Sequence, residues 1–149
     1  MRAVVQRVAE AYVTSEGQES GRIGAGLCVL LGVETGDTEN DAKYMANKLV
    51  KLRIFEDEQE KMNRSVVDIG GQILCVSQFT LLGDARGQNR PGFTAAERPA
   101  EANRLYELTC SLIREASVPV ETGVFRTRMQ VSLVNDGPVT ILLDSRKNF

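Results

Sequence analysis

Alternating apolar and polar positions predict that the chain begins with a β-strand from Arg2 to Thr14. Small apolar residues occupy most odd-numbered positions from 3 to 9, whereas the positions between them include Gln6. This period of two is typical of a strand that buries one face. Arg7 falls on the apolar face, where an arginine either lies at a strand edge with its head in water or points at a fixed acceptor.

Other apolar runs predict further strands and two amphipathic helices. The strands are expected at 27–33, 53–55, 65–69, 73–77, 119–124, 129–134 and 140–143. The pair at 65–69 and 73–77 is expected to form a hairpin closed by Gly70-Gly71. One helix is predicted to start with Asp37 or Thr38 as its cap and to include Leu52. A second is predicted from Pro99 to Ala116, after a long irregular loop at 83–99.

These elements predict one α/β domain, residues 1–149, in which helices cover sheet faces. The length of 149 residues, with 42% apolar and 26% charged residues, is ordinary for one globular domain. The strand pattern begins at once and no apolar run approaches the length of a membrane span. We therefore expect neither a signal peptide nor a membrane-spanning segment.

The chain contains no histidine, and this absence restricts its chemistry. A Ser-His-Asp or Cys-His arrangement and a histidine-ligated metal are excluded within this chain, and three scattered cysteines do not form a zinc site. Cys28, Cys75 and Cys110 are expected to be buried, reduced thiols of a cytoplasmic protein. The net charge of −2 argues against a protein that coats nucleic acid, although it permits a local patch that touches the end of an RNA.

Two short motifs each follow a predicted strand, where a rigid sheet often presents functional groups. The first is S-Q-F-T-L at residues 77–81, and the second is N-D-G-P-V-T at residues 135–140. Glycine reaches backbone conformations closed to other residues, and the bond that precedes a proline is cis at low cost. The second motif is therefore consistent either with a hairpin turn or with a backbone that offers its carbonyls to a ligand.

With both motifs in this order, the chain resembles the D-aminoacyl-tRNA deacylases. The resemblance runs nearly end to end and includes the opening M-R-A-V-V-Q-R-V, then L-R-I-F-E-D and R-P-G-F. It implies a three-layer α/β/β fold with mixed, largely antiparallel sheets and two main helices on one side. It also implies a homodimer with active sites at the subunit interface. The implied reaction is hydrolysis of the ester that joins a D-amino acid, or glycine mischarged on an alanine tRNA, to the 3′-terminal ribose.

The resemblance assigns substrate discrimination to the second motif. Gly137-Pro138 would enter the partner subunit's site as a Gly-cisPro element whose carbonyls hold the α-ammonium group of the substrate. The side chain of an L-amino acid would then meet this backbone, whereas a D side chain would point away. The rest of the implied substrate-binding set is Arg7, which would brace the element, and Asn135, Val139 and Met129.

The resemblance assigns catalysis to the first motif, through Ser77, Gln78, Phe79 and Thr80. Backbone N–H groups at 78–80 would form an oxyanion hole. The chain has no histidine to activate Thr80, so we expect this residue to position the substrate while the 2′-hydroxyl of the terminal adenosine activates water. Phe79 either walls the pocket or belongs to the core. We expect no cofactor and no metal.

The chain departs from the family pattern at Arg126 and Thr127, where related chains usually have a small Gly-Ala pair. These larger residues either alter the rim of the site, and with it the range of amino acids, or contact the RNA. Arg86 and Arg90, in the predicted loop, are candidate contacts to tRNA phosphates. Neither DNA nor a membrane is an expected partner.

Two alternatives to the deacylase remain open. The first motif alone also fits a threonine-dependent hydrolase of small esters, which would need no tRNA. The basic loop also fits a non-catalytic dimer that binds the 3′ end of an aminoacyl-tRNA and leaves the ester intact.

Overall fold

The computed structural model describes residues 1–149 as eight strands, two α-helices and one 3-10 turn. In chain order the strands and α-helices are β1 (Arg2–Ser15), β2 (Gln18–Ile23), β3 (Gly26–Gly32), α1 (Glu39–Lys51), β4 (Phe55–Glu56), β5 (Met62–Arg64), β6 (Gln72–Ser77), α2 (Pro99–Glu115), β7 (Val120–Thr122) and β8 (Met129–Asp144). The 3-10 turn covers Phe79–Leu82, directly after β6. Neither α-helix combines the length and apolar character that crossing a membrane requires.

Strand β1 organises the main sheet because it pairs along both of its edges. Its first half pairs with β3 and its second half with β2, while β8 runs antiparallel to it along most of its length. Beyond β3 the sheet continues with β6 and β7 in parallel pairs. The sheet is therefore mixed with mostly antiparallel pairs, as predicted.

Two hydrophobic clusters lie on opposite faces of this sheet. Val29 and Cys75 belong to the larger cluster, whereas Cys28 and Leu74, next to them in sequence, belong to the smaller one. Both helices pack on the larger cluster, while the second half of β1, with β2 and the first half of β8, covers the smaller one. This α/β/β layering confirms the predicted fold class.

The helices begin where the sequence predicts, but their N-termini differ. The Thr38 hydroxyl accepts a hydrogen bond from the N–H of Asn40, and the Asp41 carboxylate accepts one from the N–H of Thr38. This capping box satisfies N–H groups that have no partner within the first turn of α1. At α2 the capping residue is Arg98, whose side chain makes no such bond, so the first turn of α2 lacks a capping acceptor.

The predicted hairpin at 65–77 is wrong. Residues 65–69 form successive turns, with the N–H of Ile69 bonded to the carbonyl of Ser65, and β6 pairs with β3 and β7 instead. The apolar residues misled the prediction because Val66 is fully buried in the larger cluster although its backbone is a turn. The hairpin in this region is the short pair β4–β5.

Candidate active site

The S-Q-F-T-L motif lies where β6 ends and the 3-10 turn begins. Ser77 is the last residue of β6, and the N–H of Gln78 still bonds to the carbonyl of Leu31 at 2.8 Å. A Cβ atom on Gly32 would lie only 2.7 Å from Leu82 Cδ2 and 2.9 Å from the carbonyl oxygen of Gln78. A glycine at the end of β3 therefore lets the turn pack directly on the sheet.

A cavity of about 820 Å³ opens beside this turn. Three of the four predicted catalytic residues line it, namely Ser77, Gln78 and Phe79, together with Met129 from the start of β8. Phe79 is 58% exposed, so it is a wall of the cavity and not a core residue. Its ring meets that of Phe93 edge to face at 5.3 Å between centroids.

Thr80 follows Phe79 in the 3-10 turn, where it is exposed and is not part of the cavity lining. Its hydroxyl accepts a hydrogen bond from the side-chain amide of Gln78. The one acidic residue of the cavity lining is Glu97, and its carboxylate oxygens accept backbone N–H groups of Arg98 at 2.7 Å and Gly36 at 3.3 Å. Thr80 is thus held in place by an amide and has no partner placed to remove its proton.

The N-D-G-P-V-T motif is neither a hairpin turn nor a gap between two strands. The chain continues as one strand, β8, where the pattern predicted separate strands at 129–134 and 140–143. Gln6 pairs with Thr140 and Val8 with Asn135, so the four residues 136–139 have only Arg7 opposite them. They form a large bulge away from β1, and Asn135, next to it, is also exposed.

Arg7 holds this bulge from the inside. Its side chain is nearly buried, with the residue only 6% exposed. Its Nε donates to the carbonyl oxygen of Asp136 at 2.9 Å, and its Nη1 donates to that of Ile54 at 2.7 Å. Carboxylates of Glu56 and Asp136 lie 3.8 and 3.7 Å from the guanidinium. Of the two interpretations, the fixed acceptor is therefore the correct one.

The Gly137-Pro138 peptide at the top of the bulge is cis. Gly137 has a φ of 133°, and a Cβ atom there would lie 2.9 Å from Val139 Cγ2 and 3.2 Å from Arg7 Nη2. Both the backbone conformation and the close approach of Arg7 therefore require glycine. Gly137 and Pro138 are exposed, whereas Val139 is half-buried and packs on the larger cluster.

Within one chain the two motifs do not share a cavity. None of Arg7, Asn135, Gly137, Pro138 and Val139 lines the cavity beside Ser77. Of the predicted substrate-binding set, only Met129 lies there. The structure thus places a cavity at one end of β8 and an exposed, braced backbone loop near its middle.

The two arginines that the sequence suggested as RNA contacts lie outside the cavity lining. Arg86 donates two side-chain hydrogen bonds to Asp84, at 2.9 and 2.7 Å, and this partner keeps the pKa of Asp84 below its ordinary value. The cavity is instead lined by Arg98, Arg126 and Arg128. Sequence reasoning missed Arg128 and Phe93, although the R-T-R segment just before Met129 was a signal for the former.

No group of three or more Cys, Asp or Glu side chains is arranged to hold a metal ion. The three cysteines are free and buried, and burial raises the pKa of the Cys28 thiol to about 11. The hydroxyl of Tyr106 donates to the carbonyl of Cys75 at 2.6 Å, inside the helix-side core. The three cysteines are therefore buried parts of the core and lie outside the cavity lining.

Comparison with known proteins gives consistent matches over nearly the whole chain. A family model described as D-Tyr-tRNA(Tyr) deacylase matches residues 4–144. The D-aminoacyl-tRNA deacylase of Anaeromyxobacter dehalogenans is 60% identical over 149 residues, 100% of both chains. That of Thermus aquaticus is 57% identical over 145 residues, which cover 97% of this chain and 95% of the relative.

Two solved structures share the fold. The c-Myc DNA Unwinding Element Binding Protein superposes with a TM-score of 0.91 at 43% identity, over 97% of this chain and 98% of the other. A probable eukaryotic D-amino acid tRNA deacylase superposes with a TM-score of 0.79 over 95% and 97% of the two chains. The identity with the second is 18%, so that likeness shows the fold alone.

Proposed function

The chain belongs to the D-aminoacyl-tRNA deacylase family and is a hydrolase of that class, and from this premise we propose how it acts and on what. It hydrolyses the ester of D-aminoacyl-tRNA, releases the free D-amino acid and the tRNA, and also accepts glycyl-tRNA. The observation that carries this proposal is the pairing of a cavity lined by Ser77, Gln78 and Phe79 with an exposed loop at Gly137-Pro138. No cofactor takes part, and the enzyme acts in the cytoplasm, where its tRNA substrates are charged.

The 3-10 turn supplies the donors that polarise the ester. The first N–H groups of such a turn, at Phe79 and Thr80, have no acceptor within the turn itself. Donors of this kind stabilise the oxyanion of the tetrahedral intermediate, and the loss of one typically costs about 10²–10³ in rate. Thr80, fixed by the Gln78 amide, orients the ester, and the 2′-hydroxyl of the terminal ribose assists the attacking water.

Discrimination against L-amino acids comes from the bulge of β8. Because Gly137 and Pro138 are exposed and lie outside the cavity of their own chain that Ser77 lines, they are free to complete the same cavity in a second chain. Their carbonyls bind the α-ammonium group of the substrate and leave room for hydrogen or a D side chain only. Arg7 keeps the bulge in one conformation, so an L side chain meets a backbone that does not yield.

A homodimer provides the second chain. β8 pairs only with β1, so its outer edge is an unpaired strand of 16 residues. Two of its apolar side chains are exposed, Val134 by 50% and Leu142 by 56%. A long, apolar, unpaired edge is unfavourable for a protein in water, and a symmetric partner would cover it.

Hydrolysis of matched D-Tyr-tRNA and L-Tyr-tRNA by the purified protein, with a chelator present, tests this function. We expect rapid loss of the D ester alone. Loss of both esters would retain the hydrolase but contradict the discrimination by Gly137-Pro138. Loss of neither, from a folded dimer, would favour a binding protein for the aminoacyl-tRNA end. Equal rates on free D-tyrosine esters and on D-Tyr-tRNA would favour the small-ester hydrolase.

A further inference from the structure

Three arginines at the cavity have charges that the fold itself does not use. Arg98, Arg126 and Arg128, here called the basic rim, line the cavity, and none of their guanidinium groups forms an ion pair or hydrogen bond within the chain. The one acidic residue of the lining, Glu97, is occupied by backbone N–H groups. The cavity mouth therefore carries a net positive charge in a chain whose total charge is −2.

Other arginines of the chain behave differently. Arg22, Arg104 and Arg146 each lie within 3.0 Å of a carboxylate oxygen. Arg86 pairs with Asp84 at 2.7 Å, so most of its charge is balanced locally. Nine of the thirteen arginines form an ion pair or a side-chain hydrogen bond within the chain. Of the four that do not, the exposed Arg90 lies elsewhere and the other three line this cavity, so this cluster is a feature that a ligand would explain.

The turn that carries two of the rim residues is firmly anchored. The Thr127 hydroxyl donates to the carbonyl of Val124 at 2.8 Å, and the Ser15 hydroxyl donates to Thr127 Oγ1 at 2.7 Å. Arg126 adopts a φ of 61°, a left-handed conformation that is unfavourable for a residue with a side chain. An arginine is thus present where glycine would suit the backbone better. The hydrogen bonds of Thr127 to Val124 and Ser15 hold the turn in one conformation.

The rim borders an aromatic surface. Phe79, Phe93 and Phe125 line the same cavity, and the first two are exposed by 58% and 36%. Aromatic faces beside unpaired arginines are typical of proteins that bind single-stranded nucleic acid, because bases stack on the rings and phosphates bind the guanidinium groups.

We propose that the basic rim binds the phosphate groups of the nucleotides that precede the terminal adenosine of the tRNA. The enzyme would then hold the single-stranded 3′ end over several nucleotides and not the aminoacyl-adenosine alone. This inference rests on the proposed function for the occupant of the cavity. The sequence suggested Arg86 and Arg90 as contacts to tRNA phosphates. This inference assigns that role to the basic rim instead.

The test compares two double variants on two substrates. Arg126→Gly with Arg128→Ala removes two rim charges, and the glycine suits the left-handed backbone, so the variant should fold. Lys43→Ala with Lys51→Ala removes two charges from the exposed face of α1 and is the matched control. The substrates are D-Tyr-tRNA and the D-tyrosyl ester of adenosine, which lacks the preceding phosphates.

For the rim variant we expect the KM for D-Tyr-tRNA to rise about tenfold and its salt dependence to become shallower by about 0.7 for each phosphate that the variant no longer binds. The KM of the rim variant for the adenosine ester should equal that of the wild type, and the lysine control should match the wild type on both substrates. An equal penalty on the adenosine ester would overturn the proposal, because the arginines would then act on the adenosine. Equal changes in the KM and salt dependence of the lysine control would also overturn the proposal, because the loss of total charge would then explain the effect.

A binding measurement separates this proposal from the proposed function. A fluorescent single-stranded RNA hexamer that ends in the tRNA 3′ sequence is titrated with each variant, and its anisotropy is recorded. If the wild type hydrolyses neither ester, the proposed function fails, and the hexamer alone decides the role of the rim. About tenfold weaker binding by the rim variant would support the rim as a phosphate site. Unchanged binding by that variant would overturn it.

Discussion

Arg7 determines the shape of a backbone segment that is remote from it in the chain. It donates to the carbonyl of Asp136, 129 residues away, and to that of Ile54, 47 residues away. Alternation placed Arg7 on the apolar face, and the structure confirms that its side chain is buried. Its acceptors were not predictable from the pattern, because hydrogen bonds between distant segments leave no trace in local periodicity. The family resemblance, not the local pattern, pointed to its partner.

At Thr80 the structure leads to a prediction about rate. The hydroxyl is held by the Gln78 amide and has no base beside it, so it should orient the ester and not attack it. We expect Thr80→Ala to lower kcat for D-Tyr-tRNA by about ten- to a hundredfold, which is typical of lost positioning, and to leave measurable activity. Thr80→Ser, which keeps the hydroxyl, should recover most of the rate.

Single-turnover kinetics and mass spectrometry of the quenched reaction check this prediction. Circular dichroism of both variants confirms that they are folded. A covalent acyl group on Thr80, or loss of all activity in folded Thr80→Ala, would contradict the positioning role and favour Thr80 as a nucleophile. In that case the base would have to come from the substrate, since the chain has no histidine.

Among the elements, β8 shows that a pattern of apolar residues does not always predict where a strand begins and ends. The strands predicted at 129–134 and 140–143 are the two ends of one strand, and the polar segment between them is a bulge opposite Arg7. The sequence predicts two separate strands here, whereas the structure has one strand with a bulge, because a turn and a bulge have the same composition. At 65–69 the sequence predicts a strand where the structure has a turn, because the apolar residues of a buried turn resemble those of a strand.

The junction between β3 and the 3-10 turn gives the element-scale prediction. Gly32→Ala would place a Cβ atom 2.7 Å from Leu82 and 2.9 Å from the carbonyl of Gln78, so the 3-10 turn must move away from the sheet. We expect the free energy of unfolding to fall by about 1–3 kcal/mol, the usual cost of overpacking. The rate on D-Tyr-tRNA should fall with it, because the donors of the turn shift.

Gly24→Ala is the matched control, since a Cβ atom on Gly24 meets nothing within 4 Å. Urea denaturation at one fixed protein concentration measures both variants, because the stability of the proposed dimer would depend on concentration. Gly24→Ala should match the wild type in stability and rate. A Gly32→Ala variant with the midpoint and rate of the wild type would show that the turn is not rigidly seated on β3.

At the scale of the whole molecule, the fold class and the two helices follow from the sequence, whereas the assembly of the site does not. The sequence indicates both motifs, but the first lies at the end of β6 and the second in the bulge of β8. Only Ser77, Gln78, Phe79 and Met129 converge on the cavity. Local patterns describe one chain. A site that is completed by a second chain depends on which surfaces meet, and the unpaired edge of β8 becomes visible only in three dimensions.

A mixing experiment tests whether the site is shared between subunits. The first variant, Gln78→Ala with Thr80→Ala, has a damaged turn and an intact bulge. The second, Arg7→Ala, has an intact turn and an unbraced bulge. Each should have little activity alone. If sites combine the turn of one chain with the bulge of its partner, each mixed dimer contains one intact site.

After equal amounts of the two variants are unfolded together and refolded, half of the dimers should be mixed, so that about one quarter of wild-type activity returns. Size-exclusion chromatography with light scattering establishes that dimers have formed. As the control, each variant is unfolded and refolded alone and should return only to its own low activity. If the mixture is no more active than the separate variants while dimers are present, the bulge of one chain does not complete the site of its partner. The exposed position of Gly137-Pro138 would then have no catalytic meaning, and selection against L-amino acids would have to arise inside the cavity that Phe79 and Met129 line.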